Sequence, residues 1–150
     1  MTGSVRDDVA LGALGESLGF LLRLSQLESF RDFYHGLGDL GMRPGEFSVL
    51  MLIAENPRIR QGVLAKKLMI KRAHMTKMVQ AMEAEGLVGR SVPEDDKRSI
   101  ELHLTKAGHA RIAAMRTPFE AHEARNLTRL SDAELAEAKR LLKKYLGLPE

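Results

Sequence analysis

The sequence predicts a mainly α-helical chain that carries one small β-hairpin. Three observations support this. Apolar residues recur three and four positions apart over most of the chain, the period of an amphipathic helix. In the stretch SVPEDDKRSIELHLT, Ile100, Leu102 and Leu104 instead alternate with Ser99, Glu101 and His103, the period of a half-buried strand. Val88, Arg90 and Val92 can be read with the same two-residue period, and a charged turn, residues 93–98, lies between the two runs.

Composition sets the outer limits. At 150 residues the chain is about one domain long, taken as residues 1–150. Hydrophobic residues at 44% and charged residues at 29% fit a soluble globular protein rather than a disordered one. Aromatics are only 5% and Trp is absent, so Leu, Met, Ala, Val and Ile must build the core. No apolar run approaches the ~18 residues of a bilayer span, and MTGSVRDDVALG lacks the pattern of a signal peptide. Without Cys there is no disulfide framework, thiolate zinc site or thiol switch. A cytoplasmic protein with no membrane association is expected. The formal net charge of +3 is unevenly spread: residues 58–98 hold ten Lys/Arg against five acids, and the remainder thirteen against fifteen. A basic middle suggests an anionic partner for that segment.

The first helix is expected over residues 8–34. Leu11, Leu14, Leu18, Leu21, Leu22, Leu24, Leu27, Phe30 and Phe33 give it an apolar face too broad for a lone surface helix. HGLGDLGMRPGE follows, closed by a Pro suited to a first helical turn. Phe47, Leu50, Met51 and Ala54 then repeat at helical spacing until Asn56-Pro57 stops them. A short third helix fits residues 61–68, with Val63, Leu64 and Leu68 inward, and a fourth fits residues 71–85, ending at Gly86. After the hairpin, Thr105 caps a long helix reaching about residue 129, with a kink expected at Pro118. Ser131 and Glu134 form a capping box for the last helix, whose Leu135, Ala138, Leu142 and Tyr145 face one way.

Two short helices followed directly by a hairpin make a winged helix-turn-helix, expected over residues 44–105. On a helical wheel, Met75, Met78, Val79 and Met82 of the fourth helix fall on one side. Ala73, Lys77, Gln80 and Ala84 lie opposite, His74 and Thr76 flank that face, and Lys71 and Arg72 stand at its start. A small, polar and cationic N-terminal half suits a helix that enters the major groove. The hairpin turn would project toward the adjacent minor groove, whose negative potential favours an inserted Arg. Arg98 ends the turn, and Asp96 is placed to hold its guanidinium by a bidentate pair. The turn as a whole is net negative, because Glu94, Asp95 and Asp96 outnumber Lys97 and Arg98. A generic phosphate clamp would not look like this.

DKRSIELHLT resembles the Asp-x-Arg, five residues, Leu-Thr wing signature of the multiple antibiotic resistance regulator (MarR) family. MTKMVQAMEAEGLVGR is similar to that family's recognition helix and its Gly-Leu-Val turn into the wing. These motifs cover about residues 47–106, and the helix order and length match over nearly the whole chain. The resemblance implies a homodimeric transcriptional regulator of triangular shape. Its end helices (residues 8–40 and 106–148) would interlock with a partner copy, and its operator would be pseudo-palindromic double-stranded DNA. It implies Asp96 and Arg98 as the wing pair and Lys71, Arg72, His74, Thr76 and Lys77 as DNA contacts. Arg60, Gln61, Ala73 and Lys97 complete the expected DNA-binding set. Where the family often has Ser or Thr early in the recognition helix, this chain has Ala73 and His74, and no Ser, Thr, Asp or Asn caps that helix.

Regulators of this kind commonly act as repressors that release DNA when a small molecule, often aromatic or phenolic, enters a cleft between dimer base and DNA lobe. Arg23, His35, Met51, Arg111 and Met115 are the candidate lining residues. An enzyme is the main rival, but the five histidines (35, 74, 103, 109, 122) form no motif, and His122-Glu123 lacks the second His of a metalloprotease helix. No catalytic residue, metal ligand or cofactor is therefore expected. A metal-responsive regulator of the same fold, a helical protein-interaction module and a non-specific architectural DNA binder are the remaining alternatives.

Overall fold

A computed structural model describes residues 9–150. Six helices and three short strands follow in the order α1 (Leu18–Leu37), α2 (Pro44–Glu55), β1 (Ile59–Arg60), α3 (Gln61–Lys67), α4 (Arg72–Ala84), β2 (Val88–Ser91), β3 (Glu101–Leu104), α5 (Lys106–Ala124) and α6 (Asp132–Tyr145). The mainly α architecture with a hairpin wing is as the sequence predicts.

The first helix is shorter at its start than expected. A 3-10 turn, Gly12–Glu16, precedes it, with Gly12 at φ +54°. Ser17 is extended and its hydroxyl accepts from the Phe20 N–H at 3.4 Å, so the α-helix begins at Leu18. Asp8, the expected start, lies outside the described residues. The helix continues past Tyr34 to Leu37, because Phe33 and Leu37 are buried and hold its last turn to the core.

α2 is the central helix, with Phe47, Val49, Leu50 and Ile53 all buried. Pro44 occupies its first turn, and the Glu46 carboxylate accepts from the Arg43 N–H at 3.1 Å. In α3 the inward stripe is Leu64 and Ala65, with Leu68 half-buried after it. Val63, expected inward, is 57% exposed. In α4, Met75, Val79 and Met82 are buried and Met78 half-buried, the stripe the wheel gives.

The wing belongs to a three-stranded antiparallel sheet, ordered β1-β3-β2, where the sequence reading had only a hairpin. β3 is therefore central, and Glu101 stands between Arg60 of β1 and Ser91 of β2. This corrects the alternation read for β3: Glu101 is buried, and Arg58 Nε donates to its Oε2 at 3.0 Å. Such a pair offsets the cost of burying the carboxylate.

Thr105 caps α5 by accepting from the Gly108 N–H at 3.0 Å, and its own hydroxyl donates to the Gly86 carbonyl. Gly108 must be glycine here, since a Cβ would lie 2.1 Å from the Leu87 carbonyl oxygen. The helix runs through Pro118 and stops at Ala124, short of the expected residue 129. Asn126 then turns the chain, its Oδ1 accepting from the Thr128 N–H at 3.1 Å. The capping box at Ser131 forms as read: the Glu134 N–H donates to the Ser131 hydroxyl, and the Glu134 carboxylate accepts from the Ser131 N–H at 2.8 Å.

One core unites the end of α1 with α2, α3, α4, the sheet and the first half of α5. α6 buries no residue, and along α1 Leu18, Leu21, Leu24, Leu27 and Phe30 are exposed. Leu141, Leu142, Tyr145 and Leu146 at the other end are exposed as well.

Candidate nucleic-acid interface

α4 starts without a side-chain cap, because Lys71 sits at its N-cap position and cannot accept a hydrogen bond. The amides of the first turn therefore lack a side-chain acceptor at the N-cap, and Lys71, Arg72, Ala73, His74 and Lys77 are all exposed. Among the described residues none of these cations is ion-paired. Thr76 is turned partly inward. Its hydroxyl donates to the Arg72 carbonyl at 3.0 Å and accepts from Gln61 Nε2 at 3.2 Å, tying the start of α3 to α4. Gln61 and Thr76 thus brace the two-helix unit and keep only part of their hydrogen-bonding capacity free.

In the wing turn, Asp96 does not grip the Arg98 guanidinium, as the sequence suggested. One carboxylate oxygen accepts from the Arg98 backbone N–H at 3.0 Å, and the other accepts from the Ser99 hydroxyl. Those two bonds, Ser99 first, hold the Asp96 carboxyl below the usual aspartate range, with a smaller contribution from Arg60 nearby. A two-residue spacing suits this short backbone contact better than a loop-back of the long arginine side chain. The Arg98 guanidinium has no carboxylate partner among the described residues, and Arg98 is exposed. Lys97 is exposed beside it.

Arg60 leads into α3 from β1, and its guanidinium reaches the turn, at 3.0 Å from Asp95 and 3.5 Å from Asp96. The start of α3, the start of α4 and the wing enclose a cavity of about 290 Å³, on which Arg60, Arg72 and Arg98 converge with no carboxylate in the lining. On the far side of α4, Arg90 Nη2 donates to Glu83 Oε1 at 3.3 Å, joining β2 to that helix. The contributions of Ser99 and of the Arg58–Glu101 pair were missed in the sequence, although Ser99 lies three residues after Asp96, a spacing that suits a turn.

The five residues read as an effector cleft lie on three helices, Arg23 and His35 on α1, Met51 on α2, and Arg111 and Met115 on α5. Arg23 is exposed on α1, Met51 is half-buried against the core, and Met115 is a fully buried core residue. Arg111 is half-buried: one Nη donates to the Leu40 carbonyl, and its buried Nε has no partner. His35 lines a separate cavity of about 530 Å³ with Arg31, Asp32, Gly36, Arg125 and Leu127, and is the only one of the five there. Among the described residues there is no group of three or more His, Cys, Asp or Glu arranged to hold a metal. Nor is any helix long and apolar enough to cross a membrane.

Comparison with known proteins places this geometry. A model of the MarR family matches residues 42–100. A relative from Thauera aromatica, assigned as a transcriptional regulatory protein for the hcr operon, is 33% identical over 134 residues, covering 89% of this chain and 81% of that one. An HTH-type transcriptional repressor of Mycobacterium tuberculosis is 28% identical over 138 residues, covering 92% of this chain and 94% of its own. Among solved structures, the transcriptional repressor CouR bound to a 23-mer DNA duplex matches with a TM-score of 0.79 and 33% identity, over 93% of this chain and 99% of that chain.

Proposed function

This chain belongs to the MarR family of winged helix-turn-helix transcriptional regulators, and we propose that it is a cytoplasmic homodimeric repressor released from its operator by a small molecule. The observation that carries the DNA reading is the convergence of Arg72 from α4 and Arg98 from the wing on one acid-free cavity. α4 lies in the major groove, with Lys71, Arg72, Ala73, His74 and Lys77 toward the duplex and Thr76 at the margin. Arg98, with Lys97 beside it, reaches the neighbouring minor groove, where narrow width concentrates negative potential. Asp96 and Gln61 hold these groups rather than touch bases.

Dimerisation follows from the apolar ends. A stripe of exposed leucines on α1 and another on α6 is larger than a monomer tolerates in water. A second copy covers both. Its two-fold symmetry presents two α4–wing units to half-sites about one helical turn apart.

The effector acts by population shift: it favours a spacing of the two α4 helices that does not fit DNA. Lowering operator affinity a hundredfold takes about 2.7 kcal/mol of differential binding. Arg111, with a buried and unpartnered Nε, supports an anionic effector, and His35, Met51, Met115 and Arg23 complete the residues assigned to its cleft. Footprinting on the DNA upstream of the protein's own coding region tests the whole reading. Two protected half-sites, lost on addition of an aromatic acid or its thioester, are expected. Uniform protection of every duplex offered would instead mark a non-specific binder.

A further inference from the structure

The wing turn poses an electrostatic problem. Glu94, Asp95 and Asp96 would stand beside a phosphate backbone if Arg98 entered the minor groove, and three carboxylates there oppose binding. Arg60 answers two of them, with Nη2 at 3.0 Å from Asp95 and Nη1 at 3.5 Å from Asp96. Asp95 is the closer partner and Asp96 the secondary one.

The base of Arg60 is fixed. Arg60 pairs with Glu101 across the sheet, the Gln61 N–H donates to the Ile100 carbonyl at 2.8 Å, and the Arg58 N–H donates to the Leu102 carbonyl at 3.0 Å. Its side chain thus spans from a sheet anchored in the core to a turn that has few anchors of its own. From there the connection runs on: Asp96 accepts from the Arg98 N–H, so whatever holds Asp96 also holds the backbone of Arg98.

We infer that Arg60 is a positioning residue for the wing: it cancels the acidic turn and sets where Arg98 stands relative to α4, without itself binding a phosphate. The inference rests on the reading of Arg98 as a DNA contact. It changes the role expected of Arg60 from its sequence, which was a direct contact. Both Nη atoms of Arg60 face carboxylates of the turn, so its charge is already matched there, although three of its five N–H donors are not used by these contacts. An exposed ion pair of this kind adds little to overall stability, so its value lies in placement. The spacing also fits: the turn is made net negative by the residues that Arg60 neutralises.

The test is a double-mutant cycle on operator affinity at several salt concentrations, using Arg60→Ala, Arg98→Ala and the double variant. Arg60→Ala alone should weaken binding about tenfold, with the slope of log affinity against log salt unchanged. In the Arg98→Ala background the same change should cost less than about twofold, since its effect passes through Arg98. Equal losses in both backgrounds, with a slope lower by about 0.9, would make Arg60 a phosphate contact and overturn the inference. No loss from Arg98→Ala would sink the wing reading and this inference with it, a result distinct from the previous one.

Two further readouts do not depend on the fate of Arg60→Ala. In the DNA-free protein, Asp95→Ala should speed hydrogen exchange at the Arg98 amide and leave the α2 amides unchanged. It should also fail to tighten DNA binding, although it removes a negative charge. Unchanged exchange together with tighter binding would show that the ion pair is idle, and would refute the role.

Discussion

The lobe between Met42 and Leu104 and the two ends of the chain use the same apolar residue types to opposite effect. In the lobe the large aliphatic and aromatic side chains interlock into one core, and only Val63, Met69 and Val92 stand well exposed. Along α1 and α6, Leu18, Leu21, Leu24, Leu27, Phe30, Leu141, Leu142 and Tyr145 are 37–64% exposed. The first region is complete in one chain. In the proposed dimer the second is finished by a partner, so that the spacing of the two DNA-reading surfaces becomes a property of the dimer. That division suits the proposed regulator: the reading head has its own core, and in the proposal an effector acts on the frame that spaces two heads.

The comparison can be broken from either side. The largest effect is expected from Leu142→Glu, which places an unpaired charge in the apolar frame. It should cost about 3–5 kcal/mol of association and convert the protein to monomers in a sedimentation run, with operator binding falling in step. Leu50→Ala strikes the other region. Leu50 is fully buried in α2, so about 2–5 kcal/mol of lobe stability should be lost, seen as a lower melting temperature in monomeric and dimeric protein alike. Arg98→Ala should cost about 1–3 kcal/mol of operator affinity with thermal stability unchanged, because its guanidinium has no partner within the described protein. Lys77→Ala is the mildest: a uniform weakening on all duplexes, with the salt slope reduced by about 0.9.

Much of this was legible in the sequence, for reasons that differ by element. The α4 stripe of Met75, Val79 and Met82 was readable because a helix buried on one side writes its period into the chain. The Ser131 capping box was equally clear, since both hydrogen bonds are local. The break at Ser17 was hidden by leucines that keep helical spacing through the 3-10 turn at Gly12–Glu16. A strand of two residues, β1, has no period to detect, and without it the burial of Glu101 could not be foreseen. The end of α5 at Ala124 was set by the Asn126 turn, which a continued apolar pattern masks. In the site, α4 and the wing emerged from pattern, but the partners of Asp96 did not. Arg60 lies 36 residues away from it, and no spacing rule connects residues so far apart.

The central claim is that one chain makes a finished reading head and an unfinished frame. Sedimentation of the protein at micromolar concentration, with and without operator duplex, tests it most directly. A particle of dimer mass in free solution, binding one pseudo-palindromic duplex as two chains, is the expected result. A particle of monomer mass that still holds the operator with full affinity would contradict it.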